Sequence, residues 1–191
     1  MNLIKLSIPG AFVLESPIRT DSRGSFREWF KRPDFESADL EFPVQQANLS
    51  ISKRNVVRGL HYSLAPEGQA KVVSCAFGEL DDILVDIRVD SPAFGTVEVV
   101  HLSADQDRSV YVAPGLAHGY CVTSEVGAFV YLLSSIFNPS MELDIHPLDE
   151  TLNVPWPLSD KAILSDKDAV APSLEHRRSS GELPHFPRGD T

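Results

Sequence analysis

The chain has 191 residues, of which 42% are hydrophobic and 23% are charged. This composition is typical of globular proteins, and the length is sufficient for one domain with one substantial core. The formal net charge of -10 argues against nucleic acid or an anionic membrane as a partner, because both attract positively charged surfaces. An anionic small ligand stays compatible with this charge if a local cluster of cations binds it.

The cysteines and the apolar runs indicate in which cellular compartment the protein is expected. Cys75 and Cys121 both lie in apolar runs, which favours buried free thiols over a disulfide and fits a reducing environment. The longest apolar run, residues 128–133, has six residues, whereas a membrane-spanning helix needs about 20. Pro9-Gly10 interrupts the N-terminal segment before the apolar region of a signal peptide can form. We therefore expect a cytoplasmic protein.

Short β-branched and aromatic runs, separated by Pro, Gly, Asp and Ser, predict an all-β protein. The alternation is clearest over residues 82–89, where Ile83, Val85, Ile87 and Val89 fall on one face of a strand. The same reasoning predicts further strands at residues 11–14, 25–30, 96–102, 109–113, 119–123 and 128–133. Short peripheral helices are predicted at residues 33–40 and 165–169.

Strands about ten residues apart with turn signals between them are typical of an antiparallel sandwich or barrel. We assign residues 1–174 to a single domain of this kind. Residues 175–191 contain two prolines and a polar, basic stretch, and we expect them to form a mobile tail.

The candidate chemistry begins with His61 in the segment Arg58-Gly59-Leu60-His61 and with Lys71 ten residues later, on what we expect to be neighbouring strand segments. An imidazole is an effective base near neutral pH, and a carboxylate on its second nitrogen fixes its tautomer. Removing a proton beside a carbonyl builds negative charge on the carbonyl oxygen, which Arg58 and Lys71 can stabilise. Tyr131, on an interior strand, can return a proton from the opposite face.

The main rival is a metal centre, since small β-barrels often hold a metal with two histidines at positions i and i+2 of one strand. Position 63 is serine, and the charges of Arg58 and Lys71 would repel a divalent cation. We therefore expect no metal and no other cofactor. His61 and Tyr131 also have purely structural interpretations, as a hydrogen-bonded residue and a core aromatic.

Several segments resemble the dTDP-4-dehydrorhamnose 3,5-epimerase family, and the resemblance covers residues 3–174. Its most specific parts are Arg58-Gly59-Leu60-His61 and Ala117-His118-Gly119, in combination. The matching segments occur in order at residues 21–26, 46–48, 55–61, 86–88, 91–95, 114–119 and 164–168.

The resemblance implies a metal-free, cupin-like jelly-roll barrel that forms homodimers and epimerises a dTDP-4-keto-6-deoxyhexose at C3, or at C3 and C5. It implies that His61 is the base, that Asp168 is its paired carboxylate and that Tyr131 is the acid on the opposite face. Lys71 and Arg58 are implied to lie near the 4-keto oxygen. The implied substrate-binding residues are Arg23, Glu28, Gln46, Asn48, Arg58, His118 and Glu142.

The chain also departs from the family pattern. Leu132 stands where many members carry a lysine, Phe137 lacks the hydroxyl of a tyrosine, and the segment 142–146 is unusual. These departures leave open whether C3 alone is inverted, and they favour a specialised deoxysugar route, such as antibiotic biosynthesis, over cell-wall rhamnose. Alternative functions are a metal-dependent cupin oxygenase or isomerase, a 3,4-ketoisomerase, and a non-catalytic sugar-nucleotide-binding jelly roll.

Overall fold

A computed structural model of the protein describes residues 1–66, 68–158 and 160–187. The strands of this part of the chain are β1 Asn2–Lys5, β2 Ala11–Glu15, β3 Ile18–Asp21, β4 Gly24–Arg27, β5 Gln46–Lys53, β6 Val57–Ser63, β7 Lys71–Phe77, β8 Glu79–Asp86, β9 Val97–Ser103, β10 Arg108–Val112, β11 Leu116–Val122, β12 Val126–Leu133 and β13 Glu142–Asp144. Its helices are α1 Arg32–Glu36, α2 Asp166–Ala169 and α3 Leu174–Ser179.

The strands form two large antiparallel sheets and one separate hairpin. The six-stranded sheet has the order β1-β2-β10-β7-β12-β5, the five-stranded sheet has the order β13-β6-β11-β8-β9, and β3 pairs only with β4. The two large sheets face each other and share a core. The predicted all-β, cupin-like jelly roll with short peripheral helices is therefore confirmed.

Three hydrophobic cores lie between the sheets and on part of the outer face of each sheet. The first lies between the sheets and includes Val73, Leu84 and Phe129. The second covers the outer face of the five-stranded sheet, where Ile83 and Val85 of β8 pack against the segments that follow β13. The third lies under α1 on the outer face of the six-stranded sheet, and the unusual Leu132 packs against it. Because β8 is buried on both faces over its second half, that half contains the continuous apolar run Ile83-Leu84-Val85.

Most predicted elements are present with shifted ends. The helix predicted at residues 33–40 is α1, which ends at Glu36, and the helix predicted at residues 165–169 is α2. The strand predicted at residues 119–123 begins earlier, at Leu116. The strand predicted at residues 25–30 ends at Arg27, whose guanidinium donates hydrogen bonds to the backbone carbonyls of Gln106 and Arg108 and contacts Ser74.

The prediction of a mobile tail from residue 175 onward is wrong over residues 175–187. Helix α3 is capped by Ser173, whose hydroxyl oxygen accepts a hydrogen bond from the backbone N–H of His176. Leu183 is buried in the second core, and the Arg88 guanidinium lies 4.8 Å from the centre of the Phe186 ring. Apolar burial therefore holds this segment on the domain. Residues 188–191, also part of the predicted tail, lie outside the described residues.

Both cysteines are buried free thiols, as predicted. Burial raises the pKa of Cys121 to about 11, so its thiol stays protonated at neutral pH. Among the described residues, no helix is long and apolar enough to cross a membrane.

Two glycines bring the most specific sequence segments together. Gly59 on β6 has a φ of 136°, a conformation that residues with a Cβ rarely adopt. A Cβ on Gly59 would lie 2.7 Å from the Cα of Gly119, and a Cβ on Gly119 would lie 2.7 Å from the carbonyl oxygen of Arg58. The pairing of β6 with β11 shifts register between His118 and Tyr120. Both glycines are therefore required for the close approach of β6 and β11.

Gly119→Ala should destabilise the fold, because its new methyl group meets backbone on β6 that cannot move without breaking the sheet. We expect the free energy of unfolding to fall by about 2–3 kcal/mol, measured by urea denaturation. The control is Gly95→Ala, at an exposed turn position with a φ of 81° and nothing within 4 Å of the new methyl group. That variant should lose only about 1 kcal/mol through backbone strain. Equal losses in the two variants would refute the steric explanation.

Candidate active site

The candidate active site is a cavity of about 150 Å³ between the two large sheets. His61 on β6 lines its wall on the five-stranded sheet, whereas Lys71 on β7 and Tyr131 on β12 line its wall on the six-stranded sheet. The expectation that Arg58, His61 and Lys71 lie on neighbouring strands is thus wrong, because β6 and β7 belong to opposite sheets. The residues that line the cavity are Ser50, Arg58, His61, Lys71, His118, Gly119, Tyr120, Phe129 and Tyr131.

A second cavity of about 170 Å³ shares three residues, His61, Lys71 and Tyr131, with the first. It extends the site towards β13 and α2. Its lining residues are Asn48, His61, Gln69, Lys71, Tyr131, Leu133, Phe137, Glu142, Asp144 and Lys167.

His61 and Asp168 form a hydrogen-bonded pair, as the resemblance implies. The Nε2 atom of His61 lies 2.9 Å from Oδ1 of Asp168, 107 residues away in the sequence. Helix α2 presents Asp168, and its N-cap residue Ser165 accepts a hydrogen bond from the backbone N–H of Asp168. In the tautomer that donates Nε2–H to Asp168, Nδ1 of His61 is free to accept a proton.

The surroundings of Asp168 keep it ionised. Burial opposes the charged form, but the hydrogen bonds from His61, from Ser165 and from the backbone of Gly59, together with the charge of His61, outweigh it. The pKa of Asp168 is therefore lowered from its ordinary value. An ionised Asp168 is the form that orients a neutral imidazole and stabilises an imidazolium.

Lys71 places a buried cation in the cavity. Its side chain makes no ion pair within 4.0 Å and no hydrogen bond in the described part of the chain. Burial lowers its pKa, while the negative charges of Glu142 and Asp82 oppose that shift. A buried ammonium without a close partner is costly unless a ligand supplies the missing charge. The arrangement is thus suited to a group that carries negative charge.

Tyr131 lies on the opposite wall of the cavity from His61. It pairs with Asn48 across β12 and β5. Burial raises the pKa of Tyr131, and a hydrogen bond with Asn48 partly opposes this shift. The side-chain Oδ1 of Asn48 in turn accepts a hydrogen bond from Nε2 of Gln46 at 3.0 Å. The side-chain Oε1 of Gln46 accepts one from the backbone N–H of Phe137 at 2.9 Å. This chain of contacts connects the strand that carries Tyr131 to the segment before β13.

The remaining predicted residues of the cavity have separate surroundings. Nε2 of His118 lies 2.7 Å from Oδ1 of the fully buried Asp82, which fixes the ring beside Phe129. Arg58 donates a hydrogen bond from Nε to the Ser52 hydroxyl oxygen at 3.2 Å. The buried Oε1 atom of Glu142 has no hydrogen-bond partner among the described residues.

Two charged residues beside His61 escaped the sequence reasoning. Asp144 pairs with His61 across β13 and β6, and its Oδ1 lies 3.7 Å from Nε2 of His61. The Lys167 ammonium lies 2.9 Å from the same Oδ1 atom. Alternation along Glu142-Leu143-Asp144 places Glu142 and Asp144 on one face of a strand, which is the signal that could have revealed Asp144.

His61, Asp144 and Asp168 bring three potential ligand atoms within 4.8 Å of one another. Asp168 already accepts the hydrogen bond of His61, and the Lys167 ammonium contacts Asp144. Because a cation of the chain itself neutralises Asp144, the donor set does not fit a divalent metal, and we do not assign these residues as metal ligands.

The structure does not bring Arg23 and Glu28 into the cavity. Arg23 lies at the exposed turn of the β3–β4 hairpin, where its guanidinium is 2.6 Å from Oδ2 of Asp21. The Glu28 carboxylate is 3.8 Å from the Lys31 ammonium. Each of the two residues lines a separate cavity that shares no residue with the candidate active site.

The assembled residues can perform proton transfer beside a carbonyl. His61 with Asp168 provides a base on one wall, and Tyr131 provides a hydroxyl on the other. Lys71 and Arg58 provide positive charge for an oxyanion. Two walls with opposite proton-transfer groups are what an inversion of configuration requires.

Comparisons with a family model and with individual proteins identify the same family. Residues 5–176 match the family model described as dTDP-4-dehydrorhamnose 3,5-epimerase. The dTDP-4-dehydrorhamnose 3,5-epimerase of Mycobacterium tuberculosis is 43% identical over 189 residues, which cover 97% of this chain and 94% of the relative. The dTDP-4-dehydro-6-deoxyglucose 3-epimerase of Streptomyces bikiniensis is 39% identical, with 95% and 93% coverage.

A solved structure of a sugar epimerase is also similar to this chain. The 4-keto-6-deoxy sugar epimerase from the novobiocin biosynthetic gene cluster of Streptomyces spheroides superposes with a TM-score of 0.93. It is 38% identical, and the match covers 97% of this chain and 94% of that chain. The chain therefore belongs to the dTDP-4-dehydrorhamnose 3,5-epimerase family, as its sequence motifs indicate.

Proposed function

We propose that this protein is an isomerase that inverts C3 of a dTDP-4-keto-6-deoxyhexose without a cofactor. The observation that carries the proposal is the placement of the His61–Asp168 pair and of Tyr131 on opposite walls of one cavity, which the buried Lys71 also lines. The names of the relatives support the substrate class, because they are 3,5- and 3-epimerases of dTDP-4-keto sugars.

His61 is the proposed base. Its neutral ring donates Nε2–H to Asp168 and removes the C3 proton with Nδ1. The lowered pKa of Asp168 keeps this carboxylate ionised, so that it stabilises the imidazolium that forms. Proton removal beside the 4-keto group produces an enolate, and its oxygen carries the negative charge.

Lys71 and Arg58 are the proposed stabilisers of that oxygen. Burial of Lys71 makes its ammonium more effective, since a charge interaction is stronger where water is excluded. Lys71 has no ion-pair partner within 4.0 Å among the described residues. The enolate oxygen would supply the compensating charge in the transition state, which is when stabilisation accelerates the reaction.

Tyr131 is the proposed acid. Its raised pKa keeps the hydroxyl protonated at neutral pH, so that it can donate a proton to the face opposite His61. Gln46, Asn48, His118 and Glu142 are proposed to bind the substrate beside this reaction centre.

Arg23 and Glu28 are proposed to serve the partner subunit of a homodimer. The β3–β4 hairpin projects from the barrel, and Phe26 at its end is 61% exposed. On the edge strand β5, Leu49 and Ile51 are 62% and 66% exposed. An exposed apolar strand at a sheet edge favours association with a second copy. Association would bring the hairpin of each subunit to the cavity of the other.

The chemistry fits a specialised deoxysugar route, such as antibiotic biosynthesis, and we propose the cytoplasm as its compartment. Free buried thiols at Cys75 and Cys121 are consistent with that environment.

The proposed reaction can be followed by proton NMR in D2O with dTDP-4-keto-6-deoxyglucose. We expect the C3 proton signal to disappear and the C3-inverted sugar to accumulate, with no effect of a chelator. Exchange at C5 in the same time course would show that the protein acts at the second carbon as well. Absence of exchange at both carbons would refute the proposal, and loss of exchange on chelation would favour the metal-dependent alternative.

Two variants separate the proposed roles of the base and the acid. His61→Ala should lower the rate of deuterium exchange about 10²- to 10⁴-fold, because no base remains to remove the proton. Tyr131→Phe should retain more exchange than net inversion, since the enolate still forms but is reprotonated poorly from the opposite face. Circular dichroism should show that both variants fold. Equal loss of exchange and inversion in Tyr131→Phe would exclude Tyr131 as the acid.

Mixing two defective variants tests the exchange of hairpins between subunits. Arg23→Ala and His61→Ala should each be weakly active alone. In a mixed dimer, one site would receive intact His61 from one subunit and intact Arg23 from the other. Because half of randomly formed dimers are mixed and each has one intact site, about a quarter of wild-type activity should return after the variants are unfolded and refolded together. No recovery would show that Arg23 acts on its own subunit or not at all.

A further inference from the structure

We infer that Asp144 is a positioning residue, which holds the Lys167 ammonium beside His61 and adds a second negative charge to the imidazole. The inference rests on the proposed role of His61 as the base. Strand β13 pairs with β6 in the register that puts Asp144 opposite His61. Asp144 is only 7% exposed, and its Oδ1 lies 2.9 Å from Nζ of Lys167 and 3.7 Å from Nε2 of His61.

The backbone of Asp144 is fixed independently of its carboxylate. Its carbonyl oxygen accepts a hydrogen bond of 2.9 Å from Nε of Arg177 on α3. The Arg177 guanidinium also lies 2.8 Å from the Glu182 carboxylate, and the Tyr62 hydroxyl donates a hydrogen bond to the Glu182 backbone carbonyl. The C-terminal segment thus fixes β13 against β6. A change of the Asp144 side chain can therefore alter charge without releasing the strand.

Lys167 depends on Asp144 for its position. Its side chain is 63% exposed and makes this ion pair at the mouth of the second cavity. Lys167 is adjacent in sequence to Asp168, and the ion pair directs its ammonium towards β13. Without the Asp144 carboxylate, a long exposed lysine would spread over many conformations in solvent. Asp144 therefore keeps a cation next to the catalytic pair.

The charge on the His61 ring reflects all the groups that surround it. Asp168 accepts its hydrogen bond, Asp144 lies close to the same nitrogen, and Lys167 offsets Asp144. A negative neighbour stabilises the imidazolium and a positive neighbour destabilises it. The titratable and charged groups that face the cavity near His61 are Asp168 and Lys167 on α2, Asp144 and Glu142 on β13, Arg58 on β6, His118 and Tyr120 on β11, Lys71 on β7 and Tyr131 on β12.

Asp144 and Lys167 should consequently move the protonation of His61 in opposite directions. The exchange reaction needs neutral His61, so kcat/KM rises with pH as the ring loses its proton. Asp144→Asn removes the carboxylate that lies 3.7 Å from Nε2 of His61 and also releases Lys167. Because the carboxylate is close to the ring nitrogen, we expect its loss to outweigh the loss of the lysine charge, so the imidazolium is destabilised and the midpoint of this rise should shift to lower pH. Lys167→Met leaves Asp144 unpaired and should shift the midpoint to higher pH. We expect each shift to be about half to one pH unit.

The experiment measures the pH dependence of kcat/KM for deuterium exchange in the two variants and in a matched control. Asp166→Asn removes a negative charge, as Asp144→Asn does, but from an exposed position on helix α2, which also carries Lys167. It should leave the midpoint unchanged. Opposite shifts in Asp144→Asn and Lys167→Met, with no shift in Asp166→Asn, support the inference. An unmoved midpoint in Asp144→Asn, or a shift in the same direction as Lys167→Met, overturns it.

NMR titration of the His61 ring in the substrate-free protein gives a second readout that needs no turnover. The same opposite shifts should appear there, because the groups in contact with His61 all belong to the protein itself. If the wild-type protein failed to exchange either sugar proton, the proposed function would be refuted while this titration still tested the placement of Asp144. Titration midpoints that coincide in the wild type, Asp144→Asn and Lys167→Met would refute that placement.

Discussion

The hydrogen bond between His61 and Asp168 is the contact on which the proposed site depends. It joins a strand of the five-stranded sheet to a four-residue helix, across 107 residues of sequence. So short a helix has little stability of its own, and the Ser165 cap and the burial of Asp168 hold it in place. The site is therefore assembled by tertiary packing. A local element alone could not fix the tautomer of His61.

The position of the cavity inside the barrel imposes a second constraint, which is visible on β5. Gln46, Asn48, Ser50 and Ser52 alternate with exposed residues and face inward, while Leu49 and Ile51 point outward. A polar cavity between the sheets thus inverts the usual pattern of a strand, with polar residues inside and apolar residues outside. The exposed apolar face then needs a cover, which is why we propose a second copy of the chain. The period-2 alternation of β5 is visible in the sequence, although β5 was not among the predicted strands.

Sequence reasoning predicted the fold class, most of the strands and the pairing of His61 with Asp168, the last through family resemblance alone. It placed Lys71 wrongly beside His61 on a neighbouring strand, because proximity in sequence does not say which of two sheets a strand joins. It missed Asp144 for a related reason: its contact with His61 comes from the pairing of a three-residue strand whose register only the folded chain defines. Residues 175–187 were misjudged because their few apolar side chains, such as Leu183, become informative only when the surface that buries them is known.

The positive charges around the cavity explain how a protein with a net negative charge can bind an anionic substrate. The chain has a net charge of -10. Nevertheless, Arg58 and Lys71 line the cavity between the sheets, and Lys167 lines the second cavity, which adjoins it. Lys167 is paired with Asp144, whereas Lys71 has no ion-pair partner within 4.0 Å in the described residues. Of the cavity cations in the described residues, Lys71 is the buried one without an ion-pair partner. Burial makes a compensating negative charge most valuable there. In the proposed reaction that charge appears on the enolate oxygen, so the buried ammonium of Lys71 gains its compensating charge in the transition state.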